Sequence, residues 1–167
     1  MKVFTLGYQG LSLENYVETL LASNVGIVLD VREVAWSYNR RYIKPVLQKT
    51  LLEAGIKYTH LRICGNPSSN RKTAKSVEEC LSRYQDYLRE NSECLETLLG
   101  YVEYASKREQ PACLTCYEHK PEECHRKILT DALIEIVPEL QITHLKYIEV
   151  TKINHAPLFW DTTIQLS

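Results

Sequence analysis

Two cysteines, a histidine and an arginine lie close together near the middle of the second half of the sequence. Cys116 ends an apolar stretch, and Cys124, His125 and Arg126 are consecutive. Residues 121–123 read Pro-Glu-Glu, a favourable helix start, because proline suits the first turn and acidic residues favour the positive end of the helix dipole. Backbone N–H groups in a first helical turn attract anions and lower the pKa of a thiol. The sequence therefore predicts a thiolate at Cys124, with His125 available for proton transfer.

A second arginine and two carboxylates extend this set. Arg126 and Arg32 can each bind a carboxylate or a phosphate through two parallel N–H groups. Asp30 is a structural ion-pair partner for an arginine or a general base, and the structural role is favoured. Glu118 is the second candidate carboxylate. Cys116 and His125 also have an alternative interpretation as ordinary packing residues.

Three chain segments that carry these residues each follow a predicted strand. Active sites in open parallel sheets lie beyond the carboxyl ends of the strands. Tyr8 and Gln9 follow the first strand, residues 30–32 the second, and residues 116–118 the fourth. Such a sheet can bring all three segments to one pocket. The predicted catalytic residues are Cys116, Glu118, Cys124, His125 and Asp30, and the predicted anion-binding residues are Arg126, Arg32, Tyr8, Gln9, Arg40 and Arg41.

The hydrophobic pattern predicts strands that alternate with helices. Strands are expected over residues 3–7, 26–31, 56–61, 112–117 and 142–148. This alternation indicates an α/β fold: a single domain of three layers, α/β/α, with a mostly parallel sheet of about five strands. The domain is expected to span residues 1–150. The tail, residues 151–167, packs on that domain or contacts another subunit, as in a homodimer.

Composition places the chain among cytoplasmic proteins. The 167 residues suit one domain with a hydrophobic core, and no apolar run approaches the roughly 20 residues needed to span a bilayer. The N-terminal segment has no long apolar region or cleavage site of the kind found in signal peptides. The six cysteines are therefore expected to be reduced.

Basic residues concentrate in one segment, although the net charge is only −1. Residues 36–75 hold nine basic residues and one acidic residue, a local charge of +8. This pattern favours an anionic partner such as nucleic acid, and it is equally compatible with a solvated surface balanced by acidic residues of neighbouring helices. The basic residues are Arg40, Arg41, Lys44, Lys49, Lys57, Arg62, Arg71, Lys72 and Lys75.

Zinc binding is an alternative role for the cysteines. Cys113, Cys116, Cys124 and His125 are residue types that zinc sites use. However, positions 113 and 116 lie on opposite faces of a continuous strand, because side chains alternate along it. A redox Cys-x-x-Cys pair is disfavoured as well, since such motifs open a helix whereas this one ends a strand. The sequence thus predicts no metal and no cofactor.

Several ordered segments together resemble the DUF488 family, a set of bacterial and archaeal proteins of uncharacterised function. The likeness extends over about residues 3–148, and its most specific part is the Cys-x-Glu…Pro-x-x-Cys-His-Arg element. The resemblance implies that Cys116, Glu118 and residues 124–126 share one site with Asp30 and Arg32. The segments that carry it are residues 5–8 (TLGY), 29–32 (LDVR), 55–61 (GIKYTHL) and 116–126.

The sequence departs from this family in two places. Gly7-Tyr8-Gln9 stands where the family has a Gly-His-Ser/Thr step, and Cys64-Gly65 stands where it has paired glycines. The resemblance therefore locates a site without supplying a reaction.

Three functions are compatible with these patterns. The favoured one is an enzyme, hydrolase- or transferase-like, that acts on a phosphate-bearing substrate (a nucleotide or nucleic acid) at the Cys/His/Arg cluster. The alternative is a non-catalytic module that binds nucleic acid or another anion through residues 36–75. The third is a zinc-binding or redox-sensing protein.

Overall fold

A sheet of five parallel strands forms the centre of the computed structural model, which describes residues 1–147. The order across the sheet is β3-β2-β4-β1-β5, and every neighbouring pair is parallel. The predicted α/β fold is confirmed, with a sheet that is parallel throughout. The predicted tail, residues 151–167, lies outside the described residues. The strands are β1 Lys2–Gly7, β2 Ile27–Asp30, β3 Lys57–His60, β4 Ala112–Cys116 and β5 Gln141–His144.

Six helices connect these strands. Short 3-10 turns precede α2, α3 and α6, at Arg40–Tyr42, Arg62–Cys64 and Pro121–Glu123. None of the helices within residues 1–147 has the length and apolar character to cross a bilayer. The helices are α1 Leu13–Ala22, α2 Lys44–Glu53, α3 Ser68–Thr73, α4 Val77–Glu90, α5 Glu93–Ser106 and α6 His125–Ile136.

The helices cover both faces of the sheet. Helices α4, α5 and α6 pack on one face, for example through Leu98 and Leu129, and α1 and α2 pack on the other through residues such as Leu20. Strand β4 is buried along its whole length, as expected for a strand with helices on both sides. Cys113 belongs to the α1/α2 core and Cys116 to the α4–α6 core. The prediction that these two cysteines lie on opposite faces is therefore confirmed.

Two segments differ from the sequence-based prediction. Residues 65–70, whose sequence Gly-Asn-Pro-Ser-Ser-Asn predicts a turn-rich loop, include the start of the short helix α3. Helix α6 begins at His125 instead of Pro121, because Pro121–Glu123 forms a 3-10 turn and Cys124 then adopts an extended conformation with φ −127° and ψ 139°. Cys124 is thus the residue that precedes the helix, and His125 and Arg126 occupy its first turn.

The register of the central strands brings their carboxyl ends level. Gly7 of β1 pairs with Cys116 of β4, and Asp30 of β2 pairs with Thr115. Backbone hydrogen bonds continue the pairing past the strand ends, from Tyr8 N to the Cys116 carbonyl oxygen (3.2 Å) among others. The segments after β1, β2 and β4 therefore emerge side by side.

Candidate functional site

A cavity of about 530 Å³ lies beyond the carboxyl ends of β1, β2 and β4. Its volume falls within the roughly 300–1,000 Å³ typical of small-molecule sites. All three predicted segments contribute to its wall, through Tyr8 and Gln9, through Arg32, and through Cys116 and Glu118. The other lining residues are Gly10, Glu33, Val34, Trp36, Ser37, Tyr38, Asn39, Asn66, Arg71, Tyr117 and His125.

Four side chains converge at the floor of this cavity, and we call Cys116, Glu118, Cys124 and His125 the thiol cluster. One donor atom from each lies within 4.8 Å of the donors of the other three. The Cys116 Sγ donates to a Glu118 carboxylate oxygen at 3.1 Å. The Nδ1 atom of His125 lies 3.7 Å from the Cys116 Sγ and 3.9 Å from the Cys124 Sγ. Nucleophilic, acidic and basic groups therefore meet at one point.

A backbone carbonyl and an aromatic ring fix the orientation of the His125 side chain. Its Nε2 lies 2.7 Å from the carbonyl oxygen of Val31, just after β2. A carbonyl oxygen only accepts hydrogen bonds, so Nε2 carries the proton in this contact. The edge of the ring packs against Tyr84 of α4, with a centroid distance of 5.0 Å. In the neutral imidazole, the Nδ1 lone pair is consequently directed at the two thiols.

Burial sets the protonation of the thiol cluster. The sequence predicted a lowered pKa for Cys124, but burial of this thiol, which is 1% exposed, raises its pKa well above the usual value. Burial also acts to raise the pKa of Glu118, yet hydrogen bonds from Cys124, the Glu118 backbone N–H and Cys116 lower it overall. The pKa of His125 is raised, because interactions with Cys124, the Val31 carbonyl and Glu118 outweigh the effect of burial. Burial thus favours the neutral form of the Cys124 thiol, whereas the hydrogen bonds favour the charged form of the Glu118 carboxylate.

Gly7 allows the segment after β4 to approach β1. A Cβ atom at this position would lie 1.7 Å from the Glu118 carbonyl oxygen. Real Cβ atoms do not come that close to backbone atoms, so a side chain here would displace residue 118. Glu118 can therefore occupy its position only because residue 7, at the end of β1, is a glycine.

Arg126 differs most from its predicted role. Its guanidinium donates to the carbonyl oxygens of Glu118 and His119 and to the Thr5 hydroxyl. The residue is 1% exposed and does not line the cavity. The Arg126 guanidinium, which was expected to bind an anion, instead holds residues 118–119 in place behind the thiol cluster.

Asp30 and Arg32 form a buried ion pair, in which Arg32 lines the cavity and Asp30 lies behind the wall. Arg32 donates through Nε and Nη2 to the two carboxylate oxygens, and Tyr58 donates to Asp30 Oδ2 at 2.6 Å. The remaining nitrogen, Nη1, donates to the Tyr8 hydroxyl and to the Tyr42 carbonyl oxygen. Asp30 is completely buried and lies outside the cavity lining, which agrees with the structural role favoured from sequence over that of general base.

The remaining predicted anion-binding residues have other partners or positions. Gln9 accepts a hydrogen bond from the His119 backbone N–H at 3.1 Å, at the edge of the cavity. Arg41 forms an exposed ion pair with Glu14 of α1 at 3.1 Å. Arg40 is exposed and does not line the cavity. The structure therefore brings neither Arg40 nor Arg41 to the thiol cluster.

Other wall residues were not among the predicted catalytic and anion-binding residues. Trp36 and Tyr38 are 56% and 94% exposed, and their rings meet edge to face with centroids 4.7 Å apart. Arg71 of α3 donates to Glu33 at 2.7 Å and to the Asn66 carbonyl oxygen. These residues follow β2 and β3, and the carboxyl-end rule that located the other segments also applies to them.

The comparisons with known proteins identify a family. A family model described as "Domain of unknown function DUF488" matches residues 12–133, more than two thirds of the chain. No match was found among curated proteins or among solved structures.

Proposed function

The chain belongs to the DUF488 family, whose description assigns no function, and we propose that it is an enzyme that binds a nucleotide in the cavity and acts on it at the thiol cluster. One observation carries the proposal. The reactive groups of Cys116, Glu118 and His125 face the same cavity as an exposed aromatic pair and an arginine.

The aromatic pair supplies a surface for a nucleobase. Trp36 and Tyr38 are among the large side chains that the protein leaves in water, and both line the cavity. Stacking of a base on an aromatic side chain contributes about 1–3 kcal/mol. Tyr117, which is 48% exposed, adds an aromatic ring to the wall. A planar aromatic ligand is therefore favoured over a purely ionic one.

Arg71 is the cation that best suits a phosphate group. Of the two arginines in the wall, Arg32 is 6% exposed and both of its carboxylate-facing nitrogens are occupied by Asp30. The Arg71 side chain is 51% exposed, and its carboxylate partner within residues 1–147, Glu33, is bound through Nη2. Exposed ion pairs are weak, so a phosphate can compete with Glu33 for this guanidinium.

The thiol cluster supplies groups for hydrolysis or group transfer. The Glu118 carboxylate and the His125 imidazole can each accept a proton, and the Cys116 thiol lies between them at 3.1 Å and 3.7 Å. The two thiols can act as a nucleophile or as metal ligands. These groups could therefore catalyse hydrolysis or group transfer on a nucleotide that is bound at the cavity wall.

Titration of nucleoside monophosphates tests the binding part of this proposal. The chain contains two tryptophans, Trp36 and Trp160, so Trp160→Phe leaves Trp36 as the single tryptophan, which can be excited selectively over the tyrosines. We expect quenching of Trp36 by a nucleotide, and a roughly 5- to 150-fold weaker affinity for Trp36→Ala in calorimetry. Arg71→Ala should weaken binding of the monophosphate but not of the nucleoside. Arg89→Ala, an exposed arginine paired with Asp86 on α4, is the control and should bind normally.

Turnover by variants of the thiol cluster tests the catalytic part. Glu118→Gln should abolish conversion of a bound nucleotide while calorimetry still detects binding. Absence of any nucleotide binding at millimolar concentration, in fluorescence and in calorimetry, would contradict the proposal.

A nucleic-acid-binding module without catalysis is the second candidate. Arg40 and several lysines of residues 36–75 are exposed, which favours it. However, three members of the segment already have acidic partners: Arg41 with Glu14, Lys49 with Glu53 and Arg71 with Glu33. Steeply salt-dependent binding of an oligonucleotide that is lost in an Arg40→Ala/Arg41→Ala variant, but not in Trp36→Ala, would favour this second function.

A further inference from the structure

We infer that the thiol cluster is a zinc site, in which Cys116, Cys124, His125 and Glu118 bind one Zn²⁺ ion at the floor of the cavity. The metal site stands on its own geometry, and only the reaction it would serve rests on the proposed nucleotide enzyme.

The donor types are those that zinc selects. Thiolates, imidazole nitrogens and carboxylate oxygens bind Zn²⁺, usually four at a time in a tetrahedron. The cluster offers two sulfurs, one nitrogen and one carboxylate, with all donor atoms within 4.8 Å of one another. Of the four zinc donors considered from the sequence, Cys116, Cys124 and His125 belong to the cluster, and Glu118 stands in place of Cys113.

The spacing of the donors matches a tetrahedral site closely. Bond lengths of about 2.3 Å to sulfur and about 2.1 Å to nitrogen or oxygen place neighbouring donors of a zinc tetrahedron about 3.6 Å apart. The His125 Nδ1 lies 3.7 Å from Cys116 Sγ and 3.9 Å from Cys124 Sγ, and Cys116 Sγ lies 3.1 Å from Glu118 Oε2. These three donor pairs would need to move by about half an ångström or less to reach this spacing, and the other three pairs lie within 4.8 Å.

The contact between His125 and Val31 prepares the imidazole to bind a metal. Metal-binding histidines commonly donate their second ring N–H to a carbonyl or carboxylate, which fixes the tautomer and leaves the other nitrogen free for the ion. Here the Nε2–H donates to the Val31 carbonyl oxygen at 2.7 Å, and Nδ1 is directed at the two sulfurs. Because β2 and the first turn of α6 hold the two ends of this contact, the orientation exists before an ion binds.

The cluster is also open to solvent on one side. Cys116, Glu118 and His125 line the cavity, which gives an ion a path to the donors, whereas Cys124 closes the site from behind. A second pair of neighbouring thiols, Cys64 and Cys94, lies 2.9 Å apart, but no third donor joins it within residues 1–147. Four protein donors fill a zinc tetrahedron, so the ion would have to become five-coordinate or release Glu118 before it could polarise a phosphoryl oxygen of a bound nucleotide or activate a water molecule.

Metal analysis of the full-length chain tests the site directly. Protein produced in zinc-supplemented medium should contain about one zinc ion per chain by mass spectrometry of the elements. Cys116→Ser and Cys124→Ser should lose it. Cys113→Ser is the matched control, because Cys113 is equally buried on the same strand but faces away from the cluster, and this variant should keep its zinc.

The half-buried Glu118 allows a test that does not depend on replacing a core residue. Glu118→Gln should fold as the parent does by circular dichroism and bind zinc roughly tenfold more weakly or worse in a chelator competition, since even outer partners of a metal site contribute at least that much. Cobalt added in place of zinc should give thiolate-to-metal charge-transfer absorption, which Cys113→Ser retains and Cys116→Ser loses.

The outcomes separate the metal site from the proposed enzyme. Failure of the parent protein to bind zinc or cobalt at micromolar concentration overturns the metal site, as does equal zinc content in all four variants. Nucleotide binding by a protein that takes up no zinc would support the enzyme proposal and overturn the metal site. Stoichiometric zinc in a protein that binds no nucleotide would support the metal site and overturn the enzyme proposal.

Discussion

Replacement of Arg126 by lysine separates two roles for this residue. The substitution keeps the positive charge but replaces a planar fork by a single ammonium group. In the native protein, Arg126 Nη2 donates to the His119 carbonyl oxygen at 2.8 Å and Nη1 donates to that of Glu118. The third contact, to the Thr5 hydroxyl at 3.4 Å, is longer. A lysine cannot reach both carbonyls and Thr5 together.

The expected cost follows from the contacts that are lost. A hydrogen bond that involves a charged group contributes about 1.5–3 kcal/mol to stability, and Arg126→Lys loses one of the two to carbonyls and the weaker one to Thr5. We therefore expect the free energy of unfolding to fall by about 2–4 kcal/mol. Urea denaturation followed by circular dichroism measures this change. The control is Arg83→Lys, whose partly exposed pair with Glu79 should contribute no more than about 1 kcal/mol.

The opposite result would restore the role predicted from sequence. In that result, the free energy of unfolding of Arg126→Lys lies within about 0.5 kcal/mol of that of the parent, while the variant binds nucleoside monophosphates much more weakly. In that case Arg126 binds the anion and does not hold residues 118–119 in place. If stability falls as expected, zinc affinity should fall with it, because the 118–119 segment carries Glu118.

Three further substitutions test other parts of the site. Gly7→Ala should lower both the melting temperature and the zinc affinity, because its Cβ would lie 1.7 Å from the Glu118 carbonyl oxygen, whereas Gly100→Ala meets nothing within 4 Å and should stabilise α5 by up to about 1 kcal/mol. Asp30→Asn should cost about 3–5 kcal/mol in urea denaturation, since it leaves a buried guanidinium without its carboxylate partner, and a loss below about 1 kcal/mol would show that the pair is not structural. Burial, with the nearby charges of two basic residues of α6, lowers the pKa of His144, so its neutral form is favoured in the folded protein. The stability advantage of the parent over His144→Gln should therefore be present above the unfolded pKa and shrink as the pH falls from about 8 to about 5, and an advantage that grows on acidification would contradict this.

The fold was accessible from the sequence because its signals are local. Continuous apolar runs such as residues 27–31 mark strands buried on both faces, and Ser12 and Ser76 cap α1 and α4 through hydrogen bonds to the backbone N–H three residues later. The start of α6 was predicted four residues too early, since Pro-Glu-Glu favours a 3-10 turn as well as an α-helix. The short helix α3 has no buried residue, so no hydrophobic period marked it.

The position of the site was also predictable, but the roles within it were not. The ends of the predicted strands alone indicate that Cys116, Glu118 and His125 lie at one edge of the sheet. The direction of each side chain depends on contacts far apart in sequence, such as that of Arg126 with Glu118 or of His125 with Val31. Helix geometry alone suggested an acidic thiol at Cys124, whereas burial by distant elements raises its pKa.

The most direct test of the site is a crystal structure of the protein grown with zinc and a nucleoside monophosphate, with diffraction recorded on both sides of the zinc absorption edge. We predict an anomalous peak between the sulfurs of Cys116 and Cys124 and the Nδ1 of His125. The base should lie against Trp36 and the phosphate within hydrogen-bond distance of Arg71. An empty cavity in crystals whose nucleotide or zinc is bound elsewhere on the protein would contradict both the site and the function proposed for it.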